Sequence, residues 1–486
     1  MRTPVFSTSK NGYTLILGLG ETGLAAAHWY LRQQLPVRLA DTRVSYQTHT
    51  DALAAQYQAV AMDVVLGEQA LALTILEEVQ TVVLSPGLAI TDPAVAALLQ
   101  EAAARQVRVI SEIELFAQAL HDLIAQGYQT KVLAVTGTNG KTTVSQMLKH
   151  MLVDAGFSAQ AAGNISPAAI EALRRCLDDG ELPDFWVIEL SSFQLEHTYS
   201  LPVLAGTVLN LSQDHIDWHG SMQAYAQAKG RLFDMSTIAV VNRDDVATQD
   251  LATQHKQVRS FGLGPVQQAH DLGINNAQNQ AWISVASATG AVDDLLPTEA
   301  LLVAGQHNLS NALAALSLAH TAGVDWAPIL TTLRSYHGEP HRCQFVRQVR
   351  GVDFINDSKG TNVGATVAAL QGLARPLILI IGGLSKGQDF APLARALTQS
   401  ECKAVVLIGR DAQRIAQQLE GVSVPRYFAQ SLEDAVAQSF ELATEGDAVV
   451  LSPACASMDM FANYMERGHC FVEAVTELAL DLGEVA

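Results

Sequence analysis

The segment TGTNGKTT at residues 136–143 restricts the fold of this chain more than any other stretch of its sequence. Four apolar residues, 132–135, precede it and predict a buried strand, and residues 144–151 have the apolar spacing of a helix. A strand that runs through a glycine-rich turn directly into a helix is a building unit of parallel α/β sheets. The segment therefore predicts an α/β domain with a ligand site at the turn.

The residue types in this turn suit the phosphates of a nucleotide. Gly137 and Gly140 let backbone N–H groups point toward an anion at the positive end of the following helix. Lys141 adds a mobile charge for the β- and γ-phosphates, and the hydroxyl of Thr142 can bind Mg²⁺. The full phosphate-loop pattern requires glycine at position 135, where this chain has Val135. Taken alone, the shortened pattern leaves open a plain glycine turn with an exposed lysine.

A second glycine turn, GLGETG at 18–23, follows a predicted strand at 13–17. The next predicted strand, 37–40, ends at Asp41, which lies 18 positions after the last glycine of the turn. This spacing is the dinucleotide fingerprint, and taken alone it indicates NAD. Further strands are predicted at 81–84 and 107–110, so that the first segment forms a parallel α/β unit.

Other polar residues lie at the carboxyl ends of predicted strands. Strand 185–189 ends in Glu189, a position where a phosphate-loop protein can place a Mg²⁺ ligand; a carboxylate that caps the next helix is the alternative. From about residue 339 onward, helical runs alternate with four more strands, 352–355, 377–381, 404–408 and 448–451. They predict another α/β sheet, with ligands expected at the carboxyl ends of its strands.

Length and composition favour a globular protein of several domains. The chain has 486 residues, of which 49% are hydrophobic and 16% charged, and this length suits about three domains. The net charge of −19 argues against nucleic acid as a partner, because a phosphate backbone needs a basic surface. Five scattered cysteines without a C-x-x-C pair suit a reducing compartment. We find no apolar signal region and no stretch of membrane-span length, and we expect a cytoplasmic protein without membrane contact.

Ten motifs are distributed over the whole chain: GLGETG, ADTR at 40–43, TGTNGKTT, ELSSFQLE at 189–196, QDHIDWH at 213–219, AYAQAKGRLF at 224–233, GQHNLSNALAA at 305–315, PHR at 340–342, NDSKGTN at 356–362 and SPACASMD at 452–459. Together they resemble the Mur ligases, and within that family the branch that adds D-glutamate. The resemblance implies an α/β protein of three domains. A Rossmann-like N-terminal domain at 1–127 would bind a UDP-sugar, a central P-loop ATPase domain at 128–334 would bind ATP, and a Rossmann-like C-terminal domain at 335–486 would bind the amino acid.

The same resemblance implies an ATP-dependent amide ligase of peptidoglycan synthesis. Its substrates would be UDP-N-acetylmuramoyl-L-alanine and D-glutamate, joined through an acyl phosphate. The resemblance also implies two Mg²⁺ ions, a carbamylated Lys229 and a monomeric protein. Outside this family, Lys229 would be interpreted as a solvated helix lysine and His215 as a structural histidine.

Roles for individual residues are also implied by the resemblance. Catalytic roles would fall to Lys141, Glu189, His215, Lys229, Arg342 and Lys359, and the Mg²⁺ ligands would be Thr142, Glu189, His215 and Lys229. ATP would contact Gly137, Thr138, Asn139, Gly140, Lys141, Thr142, Thr143, Asn308, Asn311, Arg342 and Asp357. The two substrates would contact Gly20, Thr22, Asp41, Thr42, Arg43, Gly87, Asn164, His215, Thr361, Lys386, Ser457 and Tyr464. Leu384, Ser385 and Tyr464 depart from the residues that we expect in this family, and they bear on glutamate selectivity.

Other functions are compatible with parts of the sequence. A sibling Mur ligase or a folylpolyglutamate synthase would share the central domain, whereas GLGETG, ADTR and SPACASMD favour the D-glutamate branch. An NAD-dependent oxidoreductase would leave the phosphate loop and Glu189 without a role. A nucleotide-gated switch would hydrolyse ATP without any dependence on an amino acid.

Overall fold

The computed structural model describes residues 12–277, 279–303, 305–373, 375–385 and 387–484. The chain divides into two compact units. The first unit comprises residues 1–211, 215–298 and 311–334, and the second comprises 212–214, 299–310 and 335–486. Within the described ranges, no helix combines the length and the apolar character that crossing a membrane requires.

The first sheet lies in the first unit and consists of parallel strands. The strands are β1 (Tyr13–Leu17), β2 (Val37–Asp41), β3 (Met62–Leu66), β4 (Val79–Leu84) and β5 (Arg108–Ile110), and the helices are α1 (Glu21–Arg32), α2 (Gln47–Gln56), α3 (Pro93–Ala104) and α4 (Glu112–Ala125). The spatial order is β3-β2-β1-β4-β5. This is the order of a Rossmann-type sheet, so the predicted Rossmann-like N-terminal domain is confirmed.

The second sheet also lies in the first unit and begins with the strand before the phosphate loop. Its strands are β6 (Lys131–Thr136), β7 (Ala159–Gly163), β8 (Phe185–Glu189), β9 (Val203–Val208), β10 (Ser236–Asn242), β11 (Val258–Phe261), β12 (Leu272–Ala277), β13 (Gln280–Ala286) and β14 (Val292–Pro297). The order is β14-β13-β12-β11-β10-β9-β6-β8-β7, and β12, β13 and β14 pair antiparallel. The phosphate-loop strand β6 is therefore flanked on both sides by parallel strands.

Helices accompany the second sheet along the chain. They are α5 (Lys141–Asp154), α6 (Ala169–Asp179), α7 (Ser192–Glu196), α8 (Ile216–His219), α9 (Met222–Met235), α10 (Val246–Leu251), α11 (Gln306–Thr321) and α12 (Trp326–Ser335). Strand β8, with the sequence FWVIE, is buried at every residue. Such a continuous apolar run is typical of a parallel strand that is covered on both faces.

A common core joins the first two sheets. Trp29 of α1, Phe116 of α4 and Trp186 of β8 belong to one cluster of buried side chains, each at most 1% exposed. The rings of Phe116 and Trp186 meet edge to face, with centroids 5.1 Å apart. Because aromatic side chains bury the largest apolar areas, this core holds the two sheets together as one compact unit.

The third sheet lies in the second unit. Its strands are β15 (Gln344–Val349), β16 (Val352–Asn356), β17 (Leu377–Gly382), β18 (Cys402–Ile408), β19 (Arg426–Phe428) and β20 (Ala448–Leu451), and its helices are α13 (Val363–Leu373), α14 (Ala391–Gln399), α15 (Ala412–Gln418), α16 (Leu432–Leu442) and α17 (Tyr464–Asp481). The order is β15-β16-β20-β17-β18-β19. Only β15, among the described strands of this sheet, runs antiparallel to its neighbour. The predicted second Rossmann-like sheet is thus confirmed.

Candidate active site

The phosphate loop turns between β6 and α5 on two glycines with positive φ. Gly137 has φ 150° and Gly140 has φ 85°, and α5 begins at Lys141. A Cβ atom at Gly140 would lie 2.4 Å from Oδ1 of Asn311, which is closer than atoms can approach. The left-handed backbone therefore favours glycine at position 140, and a larger residue would also displace the side chain of Asn311.

Asn210, which follows β9, holds the middle of the loop. Its Oδ1 accepts a hydrogen bond of 2.8 Å from the N–H of Asn139, and its Nδ2 donates one of 3.1 Å to the carbonyl of Asn139. The N–H of Thr138 donates to the carbonyl of Asn210 at 2.9 Å. Asn210 was not predicted from the sequence, because only the pairing of β9 with β6 brings it to the loop.

Two lysines reach the same part of the loop. Nζ of Lys141 donates to the carbonyls of Gly137 and Thr138, each at 2.9 Å. Nζ of Lys229, on α9, donates to the carbonyl of Gly137 at 2.9 Å and lies 4.7 Å from the centre of the Tyr225 ring. Lys229 is 2% exposed, so the alternative of a solvated helix lysine is wrong.

Glu189 ends β8 beside the start of the loop, since it pairs in register with Val135 of β6. Its side chain is buried, and Oε1 accepts a hydrogen bond of 2.8 Å from Nδ2 of Asn164. Oε2 is buried and has no hydrogen-bond partner among the described residues. A buried carboxylate oxygen without a donor is costly, and a bound cation would satisfy it. The donor set here therefore fits a divalent cation.

His215 precedes α8 in a left-handed conformation, with φ 55°. Its ring lies 4.6 Å from that of Phe193 and 6.2 Å from that of Tyr225, measured between centroids. Tyr225 thus lies against both His215 and Lys229, and its hydroxyl is 3.0 Å from Oγ1 of Thr138. Within the described part of the chain, no three His, Cys, Asp or Glu side chains cluster as a metal site would require.

A cavity of about 270 Å³ lies at the carboxyl ends of β1, β2 and β4. It is lined by Leu17, Gly18, Asp41, Thr42, Arg43, Leu71, Ser85, Gly87 and Leu88. Asp41 accepts hydrogen bonds from the N–H of Leu19 at 2.7 Å and from the guanidinium of Arg43 at 2.8 Å. Burial by itself would raise the pKa of Asp41, but these hydrogen bonds outweigh it and lower the pKa. Asp41 is thus a fixed anion at the cavity wall.

The glycine turn before α1 borders this cavity. Gly20 is the N-cap residue of α1, and Thr22 lies in its first turn. A Cβ atom at Gly23 would lie 1.9 Å from the carbonyl oxygen of Gly18, so the helix packs directly on the turn. The N–H groups at the start of a helix of this length form a site for an anion.

In the second unit, the loop after β16 and the loop after β20 lie together. Asp357 is buried, and it accepts a hydrogen bond from Oγ of Ser452 at 2.7 Å and one from the N–H of Cys343 at 3.2 Å. Burial raises the pKa of Asp357 to about 6, although these hydrogen bonds act to lower it. Nζ of Lys359 lies 3.7 Å from the centre of the Tyr464 ring, a cation–π contact.

Three family models match consecutive parts of the chain. They are the MurD-like N-terminal domain of Mur ligases at residues 12–111, the Mur ligase middle domain at 135–319 and the Mur ligase glutamate ligase domain at 341–455. A UDP-N-acetylmuramoylalanine–D-glutamate ligase of Bordetella avium is 48% identical, with both chains covered completely. One of Burkholderia ambifaria is 44% identical over 99% of both chains. This chain belongs to the Mur ligase family.

Solved structures of Mur ligases share the fold. UDP-N-acetylmuramate-alanine ligase from Thermotoga maritima superposes with a TM-score of 0.56 at 18% identity, over 96% of this chain and 99% of that one. MurF from Acinetobacter baumannii gives a TM-score of 0.56 at 20% identity, over 78% and 88%. The resemblance inferred from the motifs and the three-domain α/β architecture are therefore confirmed.

The residues predicted for this Mur ligase's site fall into groups. Around the phosphate loop the structure brings together Lys141, Lys229 and Asn311, and it pairs Asn164 with Glu189. Asn308 lies on α11, in the part of that helix that belongs to the second unit. Lys386 lies outside the described residues.

Leu384 and Ser385, two of the residues that depart from those expected in this family, both form hydrogen bonds within the second unit. The backbone of Leu384 exchanges two hydrogen bonds with that of Ala456, 2.9 and 3.0 Å long. The buried Ser385 donates its N–H and its hydroxyl to Oδ2 of Asp411, at 2.8 and 2.7 Å. These positions therefore shape the loop after β17 through the backbone and through Asp411.

Proposed function

We propose that this chain joins D-glutamate to UDP-N-acetylmuramoyl-L-alanine with the hydrolysis of ATP, as a step of peptidoglycan synthesis. The observation that carries the proposal is the identity of 48%, over both complete chains, with the ligase of that name. The phosphate loop and the buried Glu189 beside it supply the groups that such a reaction needs.

The first domain would hold the UDP-sugar in the cavity beside Asp41. The N–H groups at Gly20 and Thr22, where α1 begins, are suited to the diphosphate. Asp41, Thr42, Arg43 and Gly87 line the cavity and would face the uridine end. The same turn would accept any pyrophosphate, and the identity with a UDP-N-acetylmuramoylalanine–D-glutamate ligase favours a UDP-sugar there over NAD.

ATP would lie on the phosphate loop, with its phosphates on the N–H groups of residues 137–143. Lys141 would exchange its bonds to two backbone carbonyls for bonds to the β- and γ-phosphates. Asn308 and Asn311 would contact the adenine side, Arg342 the γ-phosphate and Asp357 the ribose.

Two Mg²⁺ ions are proposed, one held by Thr142 and Glu189 and one by His215 and Lys229. The unpartnered Oε2 of Glu189 supports the first. A lysine ammonium cannot bind a cation, and we propose that Lys229 carries a carbamate, formed from its amine and CO₂ with loss of a proton. Magnesium, when bound, supplies positive charge that stabilises the phosphoryl oxygens.

The reaction would proceed in two steps. The carboxylate of the bound L-alanyl group attacks the γ-phosphate to give an acyl phosphate and ADP. The amine of D-glutamate then attacks the acyl carbon, loses a proton and releases phosphate through a tetrahedral intermediate. Both steps bring several negatively charged oxygen atoms close together. The positive charges of Lys141 and Arg342 and the side-chain amide of Asn164 are suited to stabilise these oxygen atoms.

D-Glutamate would bind in the third domain. Its two carboxylates would accept hydrogen bonds from Lys359, Thr361, Lys386 and Ser457, and Tyr464 would pack beside them. The contact of Lys359 with the Tyr464 ring supports this grouping. Because selectivity for glutamate depends on the same loops, the residues at 384 and 385 would affect it through loop shape.

We propose domain boundaries at residues 127 and 334. The first lies between α4 and β6, and the second lies in the last turn of α12, which precedes β15. We also propose that the enzyme acts as a monomer in the cytoplasm. The five cysteines are all free, which suits a reducing compartment.

The test is phosphate release from ATP in the presence of Mg²⁺ and UDP-N-acetylmuramoyl-L-alanine, with D-glutamate, with L-glutamate or with no amino acid. We expect release and a new UDP-linked product with D-glutamate alone. Phosphate release at the same rate with and without an amino acid would contradict the proposal and favour a nucleotide switch. Release with a different amino acid would favour a sibling ligase.

A further inference from the structure

Arg467 on α17 is among the largest fully buried side chains in the described part of the chain, with 1% exposure. None of the described carboxylates forms an ion pair with it, and its N–H groups donate to a hydroxyl and to carbonyls. Burial of an unpaired cation is costly, and such groups persist where they serve a function or a specific arrangement. Burial lowers the pKa of Arg467 to about 10, so the side chain is still cationic at neutral pH.

The guanidinium fork of Arg467 joins two loops. Nε donates to Oγ of Ser358 at 3.0 Å and one terminal nitrogen donates to the carbonyl of Ser358 at 2.8 Å, in the loop after β16. The other terminal nitrogen donates to the carbonyl of Cys455 at 3.2 Å, in the loop after β20. The hydroxyl of Ser358 in turn donates to the carbonyl of Tyr464 at 2.7 Å. Arg467 therefore links these loops, in addition to the hydrogen bond from Ser452 to Asp357 and that from the N–H of Ala454 to the carbonyl of Gly360.

The same loops carry the residues proposed for the incoming amino acid. Lys359 and Thr361 directly follow Ser358, and Ser457 lies two positions after Cys455. Tyr464 begins α17, the helix that also carries Arg467. A change in the spacing of the loops would move Lys359 and Thr361 relative to Ser457.

We propose that Arg467 is a positioning residue that sets the affinity for the incoming amino acid. It holds Ser358 and Cys455 at a fixed separation, and thereby holds the donors for the two carboxylates of the amino acid. This inference rests on the proposed function, because it requires that the third domain binds a dicarboxylic amino acid.

Arg375 provides a matched control in the same unit. Its guanidinium also joins strands β16 and β20, but at their opposite ends: it donates to Asp353 of β16 at 2.7 Å and to the carbonyl of Gly446, before β20, at 2.6 Å. Arg467→Lys and Arg375→Lys both replace a forked donor by a single one, and only the first does so under the amino-acid loops.

The experiment measures the KM values for D-glutamate, ATP and the UDP-substrate, together with kcat and Tm, for the wild type, Arg467→Lys, Ser358→Ala and Arg375→Lys. We expect Arg467→Lys to raise the KM for D-glutamate about tenfold and to leave the other two KM values within about twofold. Ser358→Ala, which removes a small side chain and is the milder change, should raise the same KM by a smaller factor. Arg375→Lys should lower Tm without changing the KM for D-glutamate.

Two results would overturn the inference. One is an unchanged KM for D-glutamate in Arg467→Lys and Ser358→Ala. The other is an equal rise of all KM values in Arg467→Lys and Arg375→Lys, which would indicate a structural role alone. If the wild type itself shows no dependence on D-glutamate, the proposed function fails, and this outcome is separate from both.

Discussion

The phosphate loop holds Lys141 and Lys229 against backbone carbonyls, whereas the third domain holds Arg467 and Asp357 within a network of buried side chains. Both regions lie at the carboxyl ends of parallel strands. In the first, glycines and backbone groups form the binding surface, and the lysine charges can move to a ligand. In the second, hydrogen bonds hold both charged side chains in place, and these side chains link the loops. The comparison separates charges that can move to a ligand from charges that are held in place.

The largest effect should come from Lys141→Ala. Without the ammonium, the charge that develops on the phosphoryl oxygens loses its nearest mobile partner, and we expect kcat/KM to fall about 10²- to 10³-fold. Lys149→Ala on the same helix should change kcat/KM by about twofold or less. Steady-state phosphate release measures both values. Near-wild-type activity in Lys141→Ala would contradict the claim that the Lys141 charge moves to the ligand.

Gly140→Ala tests whether the loop depends on its backbone. Gly140 and Gly156 have φ values of 85° and 89°, but a Cβ atom at Gly140 would collide with Asn311, whereas none of the described atoms lies within 4 Å at Gly156. Both alanine variants should lose about 1–2 kcal/mol of stability through the left-handed backbone. Only Gly140→Ala should lose activity, by about 100-fold, because the loop must shift. Equal activities would show that the space around Gly140 does not matter.

Asn210→Ala tests the support beneath the loop. The change removes both side-chain hydrogen bonds to Asn139, and we expect the KM for ATP to rise about tenfold with a smaller change in kcat. The exposed Asn276 offers a control, Asn276→Ala. A KM for ATP that stays at the wild-type value would indicate that the loop keeps its shape without Asn210.

The buried Asp357 of the third domain should make the stability of the protein depend on pH. Burial raises the pKa of Asp357 from 3.8 to about 6, so the folded protein holds this proton more tightly than the unfolded chain. The folded state should lose about 3 kcal/mol of stability as the pH rises from about 4 to about 6, and no more above that. Asp357→Asn removes this loss, so its Tm relative to the wild type should increase over that range.

The control for this pH series is Asp481→Asn, at an exposed position of the same unit. Thermal unfolding at pH 4, 5, 6 and 7 measures the difference for each variant. If the Tm of Asp357→Asn relative to the wild type falls as the pH rises, the predicted direction of the pH dependence is wrong.

The sequence predicted the phosphate loop because its residues are contiguous. Gly137, Gly140 and Lys141 stand in one short motif, and Glu189 ends an apolar strand that is easy to recognise. Asn210 could not be found in this way, because its role arises only when β9 pairs with β6 and brings the two strand ends together. Arg467 was missed for a related reason: a lone arginine on a helix is ordinarily at the surface.

The strands of the fold were predicted only in part from the sequence. The predicted strands 107–110 and 404–408 correspond to β5, which begins at Arg108, and to β18, which begins at Cys402. The antiparallel strands β12–β14 and the edge strand β15 were not predicted. Strand β14 has exposed acidic residues, and its sequence VDDLLP lacks the alternation that marks a half-buried strand. Its pairing with β13 decides its conformation.

The most direct measurement follows one oxygen atom through the reaction. UDP-N-acetylmuramoyl-L-alanine labelled with ¹⁸O in its carboxylate is incubated with the enzyme, ATP, Mg²⁺ and D-glutamate, and the released phosphate is analysed by mass spectrometry. The carboxylate oxygen that attacks the γ-phosphate leaves with it, so we predict one ¹⁸O atom in each phosphate released. Phosphate without label, formed while the amide product accumulates, would contradict the acyl-phosphate reaction at this site.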